Sequence, residues 1–295
     1  MHWKFIIFNL GMVAQIAVSL IFNRAGRRYG RIYRRAVIPL RLRYLWVGDQ
    51  GEIRTIPGPD PKIMVAATQQ TSRVAHYKAA LVTSLVTRHM PGSVLDALST
   101  NNGSVGVFAA TERLSVWPEY ADHRDSVQCQ GKCSGVCSIT CLSDGRKIDN
   151  LVGMGSQMAV VREDNLLCLP QDPYRHRENI LVHEFAHTIS YYLSTRLRTK
   201  IKAAYIHAKR NRLWNLSSYA MSHHLEYFAE ATAAFFMVSR RGSAGDMNKC
   251  GATYCRTEMD ARNQMKLIDP QLYAILSEVY TDKNPDQNSK LKICI

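Results

Sequence analysis

The chain has 295 residues, of which 46% are hydrophobic and 9% aromatic, a composition that is ordinary for a globular enzyme and excludes a largely disordered protein. Its formal net charge of +14 is concentrated at one end, because residues 1–48 contain nine Lys and Arg and no acid, so that the other 247 residues carry only +5. This distribution, with no basic stripe interleaved with aromatics in the body, argues against a nucleic-acid partner.

Residues 1–60 are predicted to form a basic, hydrophobic leader or pro-region ending in a linker, and residues 61–295 a folded domain. Phe5–Phe22 is apolar at all but four positions and is followed by a cluster of Arg. This run is long for a cleaved signal peptide and short for a membrane span. A secretory signal, a membrane anchor and a mitochondrial transit peptide therefore stay open, and residues 5–22 can associate with a membrane. Pro57–Pro61 is the clearest linker.

In chain order, the first elements of the domain are predicted to be mainly strands. Short apolar runs with the pattern of buried strands are separated by turn signals. The strands are expected at residues 63–67, 105–110, 114–117, 157–162 and 166–169, and an amphipathic helix over residues 74–90 ends at Pro91 and Gly92.

Eight cysteines fall in local groups, which include a Cys-rich insertion at residues 129–141. They are Cys129, Cys133, Cys137, Cys141, Cys168, Cys250, Cys255 and Cys294. An even number in clusters favours disulfides in an oxidising compartment, and Gly131 and Gly135 favour a cross-linked loop over a helix. Four thiolates holding a second, structural zinc are the alternative. The disulfide interpretation predicts a secreted protein; a membrane-anchored or mitochondrial protein remains the alternative.

The second half is predicted to be helical, and its first helix carries a motif with chemical meaning. Helices are expected over residues 175–194, 196–212, 223–239 and 258–280. Positions 183–187 read His-Glu-Phe-Ala-His in an apolar frame. Because positions i and i+4 share a helix face, His183 and His187 can bind one cation, with Glu184 beside them. Two imidazoles and an open water position are typical of catalytic Zn²⁺, and a neighbouring carboxylate can act as the base.

A third ligand is expected from a second helix. A zinc site with its third His six residues downstream is excluded, because positions 190 and 193 hold Ser and Leu. Glu226 and Glu230 lie four residues apart in an apolar helical run, where carboxylates are costly unless they are paired or bind metal. Glu226 on the zinc and Glu230 accepting a hydrogen bond from a ligand imidazole would account for both. His223 or His224 could be the ligand in place of Glu226.

These motifs resemble the catalytic domain of anthrax toxin lethal factor and its relatives among the glutamate-zincin peptidases. The resemblance covers roughly residues 165–280, and it includes the Tyr that lies seven residues before Glu226. It implies a role for each of six residues: His183, His187 and Glu226 as zinc ligands, Glu184 as the base, Tyr219 as the oxyanion stabiliser, and Glu230 as a support of the ligands. Residues 1–60 and the Cys-rich insertion do not match, so the substrates of that family do not transfer.

Strands followed by helices predict an α+β domain. The resemblance implies that this domain is a zincin-like metallopeptidase whose C-terminal helices carry the zinc site. The predicted function is a zinc-dependent endopeptidase acting on protein or peptide substrates. The substrate is expected to lie antiparallel to an edge strand, for which residues 157–162 are the candidate. The alternative is a catalytically silent zincin-like binding module, which would not need the carboxylate of Glu184.

Overall fold

The computed structural model of the protein describes residues 41–58, 60–282, 284 and 288–294. The apolar run at residues 5–22 and most of the basic leader lie outside the described residues.

A six-stranded mixed sheet dominates the N-terminal half. Its strands are β1 (Leu42–Val47), β2 (Ile53–Arg54), β3 (Ile63–Thr68), β4 (Ser104–Phe108), β5 (Gly153–Gly155) and β6 (Met158–Arg162). They lie in the order β2-β1-β3-β4-β6-β5. β3, β4 and β6 are parallel, whereas β1 and β5 run antiparallel to their neighbours. The short strand β5 is therefore an edge of the sheet.

The C-terminal half is helical. The α-helices of the described chain are α1 (Arg73–Thr87), α2 (Gly92–Thr100), α3 (Glu163–Leu166), α4 (Ile180–Tyr192), α5 (Thr195–Asn211), α6 (His224–Phe235), α7 (Glu258–Ile268) and α8 (Pro270–Tyr280). A small hairpin of β7 (Lys249–Cys250) and β8 (Thr253–Tyr254) precedes α7. Strands first and helices after confirm the predicted α+β class.

Both faces of the sheet are buried, and alternate residues of each strand enter different cores. Ala159 and Val161 of β6 pack in the larger core with residues of α1, α4 and α6. Met158 and Val160 point to the opposite face, where Trp117 and neighbouring residues form a smaller core. Because side chains alternate between the faces of a strand, the near-continuous apolar runs of the central strands serve both cores.

Some predicted elements are wrong or have different bounds. The strands predicted at 63–67, 105–110 and 157–162 correspond to β3, β4 and β6. The other two predicted strands are not strands: residues 114–116 form a 3₁₀ turn, and residues 166–169 are the last residue of α3 and the turn after it. The helix predicted over 258–280 is divided at Asp269, because Pro270 lacks the backbone N–H that a continuous helix needs.

The start of the folded domain also differs from the prediction. β1 and β2 lie within the segment assigned to the leader, yet β1 pairs along its whole length with β3. The linker at 57–61 thus connects two strands of one sheet, and the domain boundary at residue 60 is placed too late.

All eight cysteines are paired. The disulfides are Cys129–Cys137, Cys133–Cys141, Cys168–Cys294 and Cys250–Cys255. The predicted cross-linked loop is confirmed, and the alternative of four thiolates on a second zinc is excluded. Four disulfides are typical of extracellular or secretory proteins. None of the helices in the described part of the chain is long and apolar enough to cross a membrane.

Candidate metal centre

Helix α4 brings two imidazoles together. Its N-terminus is fixed by Asn165, whose side-chain oxygen accepts a hydrogen bond of 2.9 Å from the backbone N–H of Ile180. The helix is buried along most of its length against the sheet and α6. One turn apart on this helix, the Nε2 atoms of His183 and His187 lie 3.2 Å from each other.

Helix α6 adds a carboxylate to the pair. Glu226 lies in the first turn of α6, and its Oε2 atom is 3.3 Å from His183 Nε2 and 3.4 Å from His187 Nε2. The three atoms therefore form a nearly equilateral triangle. Glu226 Oε2 is buried and accepts no hydrogen bond from any described residue.

This triangle fits a zinc ion. Ligand atoms that lie 2.0–2.1 Å from a tetrahedral Zn²⁺ are about 3.3–3.4 Å apart, and two nitrogens with one oxygen are ligands that zinc accepts. Three lone pairs directed at one point repel each other unless a cation lies between them, and a buried carboxylate oxygen without a partner is costly. The donor set and its spacing thus fit the metal that the sequence predicts.

Glu184 lies beside the triangle on the same helix and lines the same cleft. Its Cγ atom is next to the backbone of β5, where a Cβ at Gly153 would lie 2.9 Å away. Burial raises the pKa of Glu184, while the charges of His183 and His187 act to lower it. The carboxylate is therefore in a position to exchange a proton with a molecule in the cleft.

Tyr219 lines the same cleft, in a 3₁₀ turn before α6. Its side chain is partly exposed, and burial together with the carboxylate of Glu226 raises the pKa of its hydroxyl, which stays protonated at neutral pH. His223 caps α6 through a 3.4 Å contact with the N–H of Leu225 and lines the cleft, and His224 is the first residue of the helix. The structure places Glu226 in the triangle with the two imidazoles.

Behind the triangle lies a buried set of acids. Glu230 Oε1 is 3.9 Å from His183 Nδ1, which is longer than a hydrogen bond, and both groups are buried. Glu178 is buried beside them and forms a 2.8 Å ion pair with Arg241. Burial, and then the charge of Glu178, raises the pKa of Glu230.

The sequence did not single out Glu178 or Arg241. They meet only because residue 178 pairs with residue 239 in an isolated bridge before α4, and no local pattern marks this contact. The one available signal in the sequence is an acid two residues before an apolar helix, which indicates a partner because an unpaired acid buried there is unfavourable.

A cleft of about 400 Å³ opens at the triangle. Its rim includes Gly153, Met154 and Gly155, which are the whole of β5. β6 is paired on both sides, with β4 and with β5, so the prediction that residues 157–162 form the edge strand is wrong. The edge strand beside the triangle is β5.

No family model matches the chain, and no curated protein is significantly similar in sequence. Among solved structures, the chain is similar to the Pro-Pro endopeptidase PPEP-2 from Paenibacillus alvei, with 18% sequence identity and a TM-score of 0.40. The similarity covers 72% of this chain and 96% of that one.

Proposed function

We propose that this protein is a zinc-dependent endopeptidase of the glutamate-zincin type. The observation that carries the proposal is the triangle of His183 Nε2, His187 Nε2 and Glu226 Oε2, with edges of 3.2, 3.3 and 3.4 Å. It agrees with the sequence resemblance to the lethal-factor family, in which the corresponding residues bind zinc. Glu230, at 3.9 Å from His183 Nδ1, does not accept the predicted hydrogen bond and would act on His183 through its charge.

The residues around the triangle supply the other parts of peptide hydrolysis. A zinc ion bound there would lower the pKa of a water molecule to about 7 and polarise the carbonyl of the scissile bond. Glu184 would take the proton of the attacking water at its carboxylate and return it to the leaving amine. Tyr219 would donate its hydroxyl hydrogen bond to the carbonyl oxygen as negative charge develops there.

β5 gives the substrate a place to bind. An extended peptide can add to the edge of a sheet through main-chain hydrogen bonds, and β5 is an edge strand next to Glu184. Gly153 and Gly155 lack side chains, which lets the strand lie close to α4. A peptide antiparallel to β5 would therefore present a carbonyl to the triangle.

Three substitutions test the proposal. Glu184→Gln should lower peptide cleavage by roughly 10² or more, as expected for loss of a general base. Tyr219→Phe should cost a comparable or smaller factor. Zinc content and melting temperature should stay near wild type in both variants. Glu226→Ala should lose most of the zinc. Its matched control is Glu119→Ala, which removes an exposed carboxylate and should retain the zinc.

Two results would reject the peptidase. One is a protein that holds zinc but cleaves nothing in an unfractionated peptide library, and the other is a Glu184→Gln variant that cleaves as fast as the parent. Either result would favour the silent binding module. If the Glu226→Ala variant retains its full zinc content, the third ligand is His223 or His224 instead of Glu226.

The four disulfides support secretion as the place of action, with the N-terminal segment as a signal or pro-region. Expression of the full chain in a secretory host should release a processed form into the medium. Retention in the membrane fraction would favour an anchor at residues 5–22.

A further inference from the structure

A second cavity, of about 490 Å³, adjoins the candidate active cleft. Four of its lining residues are arginines and none is acidic: Arg146, Arg175, Arg177 and Arg241. A concave surface lined by charges of one sign focuses the electrostatic potential and concentrates ligands of the opposite sign. The lining therefore favours an anion over a cation.

Two of these arginines have their charge balanced by the protein. Arg241 pairs with Glu178 at 2.8 Å and lies over the ring of Tyr174 at 4.6 Å, which fixes its guanidinium in the wall. Arg146 pairs with Asp144 at 2.7 Å on the surface.

Arg175 and Arg177 are different, since both are exposed and neither forms an ion pair with a described residue. The turn that carries them is rigid, because the carboxylate of Asp172 accepts hydrogen bonds of 3.0 Å from the N–H of Tyr174 and 2.9 Å from that of His176. Both residues line the cavity with a charge that no described carboxylate balances, and Arg177 donates a 3.4 Å hydrogen bond to the hydroxyl of Tyr254. A guanidinium matches the geometry of carboxylate and phosphate groups.

The cavity has a defined side relative to the cleft. The two share five lining residues: Arg146, Leu151, Tyr174, Arg241 and Ser243. The arginine cavity also includes Val152, directly before β5, so it lies beyond the N-terminal end of that strand. A peptide antiparallel to β5 has its C-terminal part at this end.

We propose that the arginine cavity binds an anionic side chain of the peptide substrate, located on the C-terminal side of the cleaved bond. This inference rests on the proposed peptidase function and gives it a substrate class, namely peptides with an acidic or phosphorylated residue after the scissile bond. Both kinds of side chain offer oxygens that a pair of guanidinium groups can bind.

The test uses the purified full chain and a cleavable peptide found in an unfractionated library. The first four positions after the cleaved bond are changed one at a time to Glu, phosphoserine, Gln or Lys. At one position or more, Glu or phosphoserine should raise kcat/KM about tenfold over Gln, the scale of a charge-assisted hydrogen bond. Lys should lower it, and added NaCl should reduce the preference. The ratio of kcat/KM for the Glu peptide to that for the phosphoserine peptide shows which of the two anionic side chains is preferred.

Variants assign the preference to the cavity. Arg175→Gln with Arg177→Gln should bring the Glu-to-Gln ratio close to one while zinc content and melting temperature are retained. Arg210→Gln, at an exposed arginine of α5 away from both cavities, is the matched control and should keep the ratio.

Three results would overturn the inference: no acidic preference, a preference confined to positions before the cleaved bond, or a preference unchanged in the double variant. If the parent cleaves no peptide at all, the proposed function fails, and the cavity is tested by binding alone. Equal binding of labelled Glu and Gln peptides would then refute the cavity as well.

Discussion

Gly155 offers a sharp test of how β5 and α4 together build the site. The glycine lies where the edge strand passes the zinc-motif helix. An added Cβ would collide with the carbonyl oxygen of Glu184 and lie 2.8 Å from His187 Cβ and 2.9 Å from the Glu184 carbonyl carbon. These are backbone and Cβ atoms, which cannot move aside by a rotamer change. Gly155→Ala must therefore separate the strand from the helix.

The size of the effect follows from these contacts. Carbon atoms prefer separations of about 3.5–4.0 Å, so strand and helix have to move apart by roughly 1 Å. Overpacking of this kind costs about 1–3 kcal/mol, and the upper end is expected here because the colliding atoms belong to the main chain. A displacement of about 1 Å in a catalytic group can reduce the rate by roughly 10². Gly155→Ala should accordingly lose about 3 kcal/mol of unfolding free energy and most peptidase activity.

Equilibrium urea unfolding measures the stability, and metal analysis together with peptide cleavage measures the site. Gly92→Ala is the matched control, because a Cβ at Gly92 meets nothing within 4 Å. Gly92→Ala should be neutral or should raise the free energy of unfolding by about 0.4–1 kcal/mol, because it lowers the conformational entropy of the unfolded chain. If Gly155→Ala unfolds at the same urea concentration as the parent and cleaves as fast, β5 does not lie against α4 as described, and the substrate site on β5 is lost with it.

Two further predictions concern the framework. Replacing both cysteines of the Cys168–Cys294 disulfide by Ser should lower the free energy of unfolding by about 5 kcal/mol, because the loop that this disulfide closes spans 126 residues. The same change at Cys250–Cys255, which closes a loop of 5 residues, should cost about 2 kcal/mol. Similar losses of melting temperature in the two variants would contradict this loop-entropy account. Tyr227→Phe should cost about 1–3 kcal/mol in urea unfolding, since it removes a buried 2.6 Å hydrogen bond to Asp269; an unchanged unfolding midpoint would show that the carboxylate of Asp269 finds another donor.

The sequence predicted best those elements whose pattern is local. β3, β4 and β6 are short apolar runs bounded by turn signals, and they were found. The same reasoning failed at residues 114–117, since a short buried apolar run has no period that separates a strand from a turn packed in a core. β1 was missed because its apolar residues continue a basic segment, and its pairing with β3 is a long-range contact.

In the candidate site, too, the residues marked by a local pattern were predicted and those brought together by long-range contacts were not. The spacing of four residues within one helix predicted that His183 and His187 share a face. Glu226, on another helix, was predicted from the cost of a carboxylate in an apolar run and from the resemblance to the lethal-factor family. β5 gave no signal, since Gly-Met-Gly lacks the branched and aromatic residues that mark strands. The arginine cavity could not be predicted either. Residues 175–178 were assigned to a helix, but Arg175 and His176 adopt left-handed backbone conformations in a turn that tertiary contacts hold.

The doubly cross-linked loop at residues 129–141 has a consequence for self-digestion. It is followed directly by Leu142, which lines the cleft, so it is an exposed segment close to the proposed site of hydrolysis. A strand that pairs with β5 must be extended, and two overlapping closures of eight residues each prevent this loop from extending. If the proposed peptidase function holds, the oxidised loop should resist cleavage by the protein itself, and reduction should make the same loop susceptible to it.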